Sequence, residues 1–99
     1  MSLMSSAFDA ITEPARRRLL DLLLDGPSSV GDLATAAGMS QPNTSRHLRI
    51  LREAGLVTSR VAGRRRLYEV HPQGLAEVAG WLTPYVLRLQ RERTPRVSR

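Results

Sequence analysis

The 99-residue chain contains no cysteine and no lysine, and only four of its residues are aromatic. Without cysteine it cannot form disulfide bonds or thiolate metal sites. It also lacks a secretory signal and any apolar run near the roughly 18 residues of a membrane helix, so we expect a soluble, cytoplasmic protein with no membrane partner. Because aromatic side chains are few, the core must consist mainly of leucine, valine and alanine.

The length indicates a single domain, which we place at residues 5–90. We interpret residues 1–4 as cloning-derived or start residues, with Met4 the natural start, and residues 91–99 as a basic, frayed tail. A domain of this size buries only a modest core, and dimerisation is a common way to add to it.

Positive charge is concentrated in the middle of the chain. The net charge is +6, and residues 40–66 alone contain seven of the 15 arginines but a single acidic residue, Glu53. A merely solvated surface would usually mix charges of both signs, so this segment favours a polyanionic partner. Since no strongly apolar amphipathic helix accompanies the charge, nucleic acid is a better match than a membrane surface.

Residues 40–54 carry the signals of a short helix. Ser40 is suited to cap its start, Pro42 is tolerated in its first turn, and Gly55 is placed to end it. The inward stripe repeats at i, i+4 and i+7, at Thr44, Leu48 and Leu51. At about 100° per residue, the outward face holds Pro42, Arg46, Arg49 and Glu53.

The exposed N-terminal half of such a helix is the part that meets base edges in the major groove of DNA. We therefore predict double-stranded DNA as the partner of residues 40–54. The candidates for base reading are Gln41, Asn43, Ser45 and Arg46. The candidates for phosphate binding, which lie along this helix and the arginine-rich segment after it, are Ser40, Thr44, His47, Arg49, Arg52, Arg60, Arg64, Arg65 and Arg66.

Three helices are predicted ahead of this segment, over residues 5–11, 14–24 and 30–37. The second has a leucine-rich core face, which consists of Leu19, Leu20, Leu22, Leu23 and Leu24. Ser29 and Asp32 have the spacing of a capping box at the start of the third.

A turn at Gly38-Met39 joins the third helix to residues 40–54, and this is the helix-turn-helix arrangement. After these helices the apolar period changes to that of strands, and residues 56–61 and 66–70 predict a hairpin. The arginines near its tip would make residues 57–70 a wing that lies against phosphates.

A last helix begins near Gln73, with an apolar seam at steps of three or four residues. Pro84 interrupts it, so this helix is either kinked or split in two, with Thr83 available as a cap. The resulting order, α-α-α-α-β-β-α, predicts a mainly α fold with a small β-hairpin, a winged helix-turn-helix.

The motif SQPNTSRHLRILREAGLV, followed by GRRRLYEV, resembles the ArsR/SmtB family of bacterial winged helix-turn-helix repressors, and the similarity covers residues 7–90. This resemblance implies a homodimer paired through the first and last helices, a palindromic operator and transcriptional repression. The segments LAE at 75–77 and GWLTPY at 80–85 are further similar to a branch of the family that lacks metal sites.

The apolar seam of the last helix, with Trp81 and Tyr85 one turn apart, exceeds what a small winged helix needs for its own core. We therefore expect a homodimer. The interface candidates are Phe8, Ile11, Leu75, Val78, Leu82, Tyr85, Val86 and Leu89.

We expect no metal site and no cofactor. Family members that sense arsenite, cadmium or lead use cysteine, and zinc or nickel sensors pair Asp, His and Glu ligands on the last helix, whereas this chain has neither set. His47 is better explained by packing or by a phosphate contact, and His71 by the end of a strand. The sequence indicates no effector, operator or regulated gene.

Catalysis has no support in the sequence, because no set of Ser, His and Asp and no glycine-rich phosphate loop is present, so we predict that the protein is not an enzyme. Two alternatives stay open. A winged helix can instead bind a partner protein, although such a module would more often expose apolar residues where this chain has arginine. Trp81 and Tyr85 could also hold a small organic ligand of a repressor, although a pair at this spacing is more often part of a dimer interface.

Overall fold

The computed structural model describes residues 6–93 and confirms a mainly α winged helix-turn-helix with a small antiparallel sheet. Its helices are α1 (Ala7–Ala10), α2 (Pro14–Leu23), α3 (Val30–Ala37), α4 (Gln41–Glu53) and α5 (Ala76–Arg93), and its strands are β1 (Ser28–Ser29), β2 (Val57–Ala62) and β3 (Arg65–Val70). A 3₁₀ turn at Pro72–Leu75 precedes α5. Residues 1–4 and most of the predicted tail lie outside the described residues.

The sheet has three strands in the order β1-β3-β2, so the predicted hairpin of β2 and β3 is joined by a short strand that the sequence did not predict. Tyr68 of β3 lies opposite Ser59 of β2 and Ser28 of β1. The hairpin turn has two residues, Gly63 and Arg64, and Gly63 has φ 64°, a left-handed conformation that glycine adopts without strain. β1 thereby ties the wing to the start of α3.

A leucine-rich core lies between the helices and the hairpin. Its largest fully buried apolar side chains are Leu19, Leu33, Leu48, Leu51, Leu56 and Val57. Leu20 and Leu22 are half-buried against this core. Leu24 is 76% exposed because α2 ends at Leu23, so the prediction that Leu24 belongs to the core is wrong.

α5 is a single helix that continues through Pro84, so it is not split there. Thr83 caps no second helix, and its hydroxyl instead donates to the carbonyl of Ala79 at 2.6 Å. Because proline has no N–H, the carbonyl of Gly80 receives no helical hydrogen bond from residue 84. α5 also reaches Arg93, beyond residue 91, where we placed the start of the frayed tail.

The 3₁₀ turn before α5 packs closely against the end of α4. The backbone N–H of His71 donates to the carbonyl of Leu56 at 2.9 Å. A Cβ on Gly74 would overlap the carbonyl oxygen of Gly55 and would lie 2.7 Å from its carbonyl carbon. Only glycine fits this approach, which sets the point at which α5 leaves the body of the domain.

Candidate nucleic-acid interface

The start of α4 is held by its cap and by the turn before it. Ser40 Oγ accepts a hydrogen bond from the backbone N–H of Asn43 at 3.2 Å, as expected of an N-cap. Gly38, at φ 68°, ends α3 in the left-handed conformation and turns the chain into α4. The Ser40 cap and the turn at Gly38 fix the orientation of α4 and leave its N-terminal half in solvent.

The base-reading candidates on this half of α4 are mostly free to meet a ligand. Gln41, Ser45 and Arg46 are exposed, and Asn43 is half-buried. Arg46 Nη2 donates to Asn43 Oδ1 at 2.9 Å, while the Asn43 amide nitrogen contacts the sulfur of Met39 at 3.9 Å. Asn43 therefore holds the guanidinium of Arg46 in addition to any contact of its own.

Thr44 and His47 do not lie on this surface. Thr44 is 0% exposed and its hydroxyl donates to the carbonyl of Ser40 at 2.8 Å. His47 is 5% exposed. Both residues share the buried side of α4 with Leu48 and Leu51, so the structure removes them from the phosphate-binding candidates.

His47 packs against an arginine of α2. Arg16 Nη1 lies 3.3 Å from His47 Nδ1, and because a guanidinium can only donate, Nδ1 accepts and the ring is neutral. Burial, followed by the charges of Arg46 and Arg16, lowers the pKa of His47 below its ordinary value of 6.5, and Glu13 opposes this only in part. Arg16 also donates to the carbonyl of Ala10 at 2.7 Å, so the contact joins α1, α2 and α4.

Acidification from about pH 7.5 to about pH 5.5 should destabilise the fold through His47. The unfolded histidine titrates near its ordinary pKa of 6.5 and the folded one lower, so below pH 6.5 the unfolded state binds more protons. The free energy of unfolding should fall across this window by about 1.4 kcal/mol for each unit by which the pKa is lowered, and level off below the folded pKa. Urea unfolding at a series of pH values measures this.

A matched pair of histidine variants isolates the group responsible. His47→Gln removes the titrating ring and keeps an acceptor for Arg16, so it should flatten the pH dependence in this window. The control is His71→Gln, which makes the same substitution at the exposed histidine. A dependence that stays equally steep in His47→Gln would contradict the assignment.

The exposed arginines of the surface differ in their partners. Arg60 Nε lies 3.6 Å from Glu69 Oε1, which offsets its charge. Arg66 Nη1 donates to the neutral hydroxyl of Ser59 at 3.0 Å and keeps its charge. Among the arginines of α4 and the hairpin, those that make no hydrogen bond or ion pair with any residue from 6 to 93 are Arg49, Arg52 and Arg64.

Arg65 reaches away from the wing to the start of α3. Its Nη2 donates to Ser29 Oγ at 2.6 Å and to Asp32 Oδ2 at 2.7 Å. Ser29 is the N-cap of α3 and accepts from the backbone N–H of Asp32 at 3.2 Å. The predicted capping box is therefore half present, because the carboxylate of Asp32 pairs with Arg65.

A hollow of about 320 Å³ lies between the outer face of α4 and strand β3. Its lining includes Arg46, Arg49 and Arg52 from α4 and Tyr68 from β3. Three guanidinium groups around an open hollow suit a phosphate group. Tyr68 was not among the predicted site residues, although strand alternation places it on the same face as Arg66 and could have indicated it.

The arginine triplet at the start of α2 has a structural role. Each member donates to a backbone carbonyl near the C-terminal end of another helix: Arg16 to Ala10 at 2.7 Å, Arg17 to Ile11 at 2.6 Å and Arg18 to Ala36 at 3.3 Å. A positive side chain is stabilised by the partial negative charge at a helix C-terminus. These three charges therefore serve helix packing and do not extend the candidate interface.

α5 carries a second, apolar surface. Large hydrophobic side chains of α5 that are at least 40% exposed are Trp81, Leu82, Tyr85, Val86, Leu87 and Leu89. Of the other predicted interface residues, Val78 is buried in the core of its own protomer, and Phe8, Ile11 and Leu75 are half-buried against that core. The exposed apolar surface is therefore the part of α5 that follows Val78.

An aromatic cluster joins this surface to α1. The ring centroid of Trp81 lies 6.0 Å from that of Phe8, edge to face at 86°, and 5.1 Å from that of Tyr85. Edge-to-face pairs of this kind are favourable beyond the area that they bury. The cluster thereby fixes α5 against α1.

Within residues 6–93, no helix has the length and apolar character needed to cross a membrane. The same part of the chain holds no group of three or more His, Asp or Glu side chains that could bind a metal ion.

Known proteins are similar to this chain in sequence and in fold. The model of the family described as bacterial regulatory protein, arsR family, matches residues 13–59. The transcriptional regulator Rv2034 of Mycobacterium tuberculosis is 43% identical over 71% of this chain, which spans 65% of that regulator's length. The transcriptional repressor SdpR of Bacillus subtilis is 32% identical over 84% of this chain and 92% of its own. A homodimeric winged helix-turn-helix DNA-binding domain, Mb0332 of Mycobacterium bovis, is 27% identical with a TM-score of 0.67, covering 89% of this chain and 82% of that one.

Proposed function

Because this chain belongs to the ArsR family of bacterial regulatory proteins, we propose that it is a dimeric repressor that binds an inverted-repeat operator. The main support is the surface on which Arg46, Arg49 and Arg52 of α4 and Tyr68 of β3 surround one open hollow. Guanidinium groups at this density match a phosphate backbone, and the exposed start of α4 matches a major groove. The repressor role of SdpR fits the same assignment.

The contacts divide into base reading and phosphate binding. Gln41, Ser45 and Arg46 meet base edges, and Asn43 does so while it holds Arg46. Amide side chains suit adenine and arginine suits guanine. The phosphate-binding set leaves out the buried Thr44 and His47 and the ion-paired Arg60 and Arg65. It consists of Ser40, Arg49, Arg52, Arg64 and Arg66.

Dimerisation through α5 supplies the two-fold symmetry of the operator. The exposed apolar side chains of this helix include Leu82, Val86 and Leu89, and a row of this kind is unusual on a monomeric protein. The related domain Mb0332 is a homodimer. A two-fold dimer would place its two α4 helices in successive major grooves, with half-sites about one helical turn apart.

A partner protein fits the α4 surface less well than DNA. The large hydrophobic residues of α4 are turned inward, with Leu48 and Leu51 buried and Ile50 half-buried. What remains outside is mostly amide, hydroxyl and guanidinium, with Pro42 and the carboxylate of Glu53 as the exceptions. Such a surface has few of the apolar anchors that carry the binding energy of protein interfaces.

Selection from randomised DNA duplexes tests the proposal directly. The purified protein should enrich an inverted repeat, and its affinity for that duplex should exceed its affinity for a scrambled one by a factor of about a thousand or more. Placed between a promoter and a reporter gene, the enriched site should lower expression when the protein is present. No enrichment, together with capture of DNA only at low salt, would contradict sequence-specific binding.

Arg46→Ala should relax base preference at one position of each half-site. The side chain is exposed on the first half of α4 and is already oriented by Asn43. We expect a loss of roughly 1–3 kcal/mol in binding free energy on the selected duplex and a much smaller loss on a scrambled duplex. Fluorescence anisotropy titrations with both duplexes at one salt concentration measure the difference.

Arg91→Ala is the matched control for this substitution. It removes the same charge from an exposed site on α5 and should change the affinities for the two duplexes about equally. Equal losses on both duplexes in Arg46→Ala would show that Arg46 binds phosphate and does not read a base.

A further inference from the structure

Among the arginines of the wing, Arg65 is the one whose side chain contacts another element of the domain within residues 6–93. Arg60 and Arg66 have their partners inside the hairpin. Arg65 instead donates to Ser29 Oγ at 2.6 Å and to Asp32 Oδ2 at 2.7 Å. One side chain thus joins the tip of the wing to the helix that precedes α4.

Strand alternation directs Arg65 away from the hollow beside α4. Successive residues of a strand project to opposite faces of the sheet. Tyr68 lines the hollow, and Arg66 lies on the same face of β3 as Tyr68. Arg65 lies on the other face, so it is poorly placed to share a phosphate with the arginines of α4.

The contact lies where backbone pairing of the wing with the body ends. β1 pairs only Ser28 with Tyr68 and Ser29 with Leu67, whereas β3 continues to Arg65 without a third strand. A two-stranded hairpin is at best marginally stable by itself. The Arg65 side chain therefore provides the attachment that the backbone no longer provides.

Asp32 makes this attachment electrostatically favourable. The N-terminal end of a helix carries partial positive charge, which disfavours a cation near the start of α3. The Asp32 carboxylate, 2.7 Å from Arg65 Nη2, makes the position favourable for a cation and offsets the charge of Arg65. Arg65 consequently has less charge to offer a phosphate than Arg64 at the turn.

We propose that Arg65 is a positioning residue, which holds the wing in place beside α4 through Asp32 and Ser29 and does not bind phosphate. This rests on the proposed DNA-binding function and adds a residue pair that controls it. Because the side chains of Arg65 and Asp32 are 57% and 68% exposed, the pair contributes little to folding. Its effect should therefore be on the geometry of the bound state.

The substitution Asp32→Asn distinguishes phosphate binding by Arg65 from positioning of the wing by Arg65, because the two roles predict opposite changes in DNA affinity. It removes a negative charge near the DNA and, if Arg65 bound phosphate, would strengthen binding. If Arg65 positions the wing, Asp32→Asn and Arg65→Gln should each weaken binding to the selected duplex by about fivefold, and the double variant should be no weaker than either. The salt dependence of the affinity should stay unchanged, and Asp32→Glu should retain most of the affinity. Trypsin should also cut at Arg64 faster in Asp32→Asn.

Arg64→Gln provides the reference for a true phosphate contact. Its affinity should fall on selected and scrambled duplexes alike, and its salt slope should drop by about 0.9. Tighter binding by Asp32→Asn together with a lower salt slope for Arg65→Gln would overturn the positioning role and leave the DNA-binding function intact. If Arg46→Ala and Arg64→Gln also left binding unchanged, the proposed function itself would fail.

Discussion

Val86→Glu should leave the protein monomeric and weaken its binding to the selected inverted repeat by about a hundredfold or more. Val86 is 42% exposed in the apolar row that follows Val78, and in a two-fold interface the substitution would bury two carboxylates. A monomer loses the gain in effective concentration that comes from linking two DNA-binding units, which is about 10² to 10⁴. Light scattering gives the mass, and anisotropy titrations give the affinity.

Leu24→Glu is the matched control for this charge. It also replaces an exposed aliphatic residue with glutamate, but at the end of α2, outside the α5 surface. We expect a dimer with affinity close to that of the unmodified protein. A single half-site is the second control, because Val86→Glu should bind it about as well as the unmodified protein does. If Val86→Glu still had twice the chain mass, the α5 interface would be wrong.

Gly74→Ala should lower the free energy of unfolding by about 3 kcal/mol, which is a large part of the stability of a domain this small. The added Cβ would overlap the carbonyl oxygen of Gly55, and it would also lie 3.2 Å from the Cα of Leu56. Both neighbours are backbone atoms, so neither can move aside as a flexible side chain could. Urea unfolding at fixed protein concentration measures the loss.

Gly31→Ala is the control for this substitution. Its Cβ would meet only the side-chain nitrogen of Gln41 at 3.5 Å, an ordinary contact, and alanine favours a helix over glycine by up to about 1 kcal/mol. The variant should be as stable as the unmodified protein or slightly more stable. Equal losses in both variants would show that the approach of Gly74 to Gly55 is not the cause.

The parts of the fold that depend on neighbouring residues were predictable from sequence. The boundaries of α4 follow from the Ser40 cap, the early proline and Gly55, and the structure places the helix at Gln41–Glu53. The hairpin follows from alternation and from the glycine in its turn. Both signals lie within a few residues of the feature that they specify, so a single sequence is sufficient to detect them.

The parts that depend on distant residues were not predictable. Strand β1 has two residues and exists because Ser28 and Ser29 find β3, which no local pattern reveals. The ion pair between Arg65 and Asp32 likewise forms only because β3 and the start of α3, which are far apart in sequence, lie close together in the fold. The continuation of α5 past Pro84 depends on the stability of the whole helix, because the loss of one hydrogen bond at a proline does not end a helix.

The prediction that Thr44 and His47 of α4 bind phosphate is wrong for a different reason. Thr44 belongs to the inward stripe by its spacing, and His47 follows it by one turn, so the helical period already places both on the buried side. A hydroxyl or an imidazole suits a phosphate by residue type, but at these two positions the helical period outweighs residue type. Tyr68 is half-buried against the core and also lines the hollow, and its place on the same strand face as Arg66 is the sequence signal for the second of these.

The pairing of β1 with β3 also bears on the order in which the protein can fold during synthesis. Ser29 and Leu67 are opposite each other in the sheet, so the chain between them is a closed loop that contains α3, α4 and β2. Contacts between segments far apart in sequence require closure of the intervening loop, and they form more slowly than local ones. Since this loop cannot close until residue 67 has left the ribosome, α2 and α3 can pair first. Helix α4 reaches its final surroundings only when the wing does.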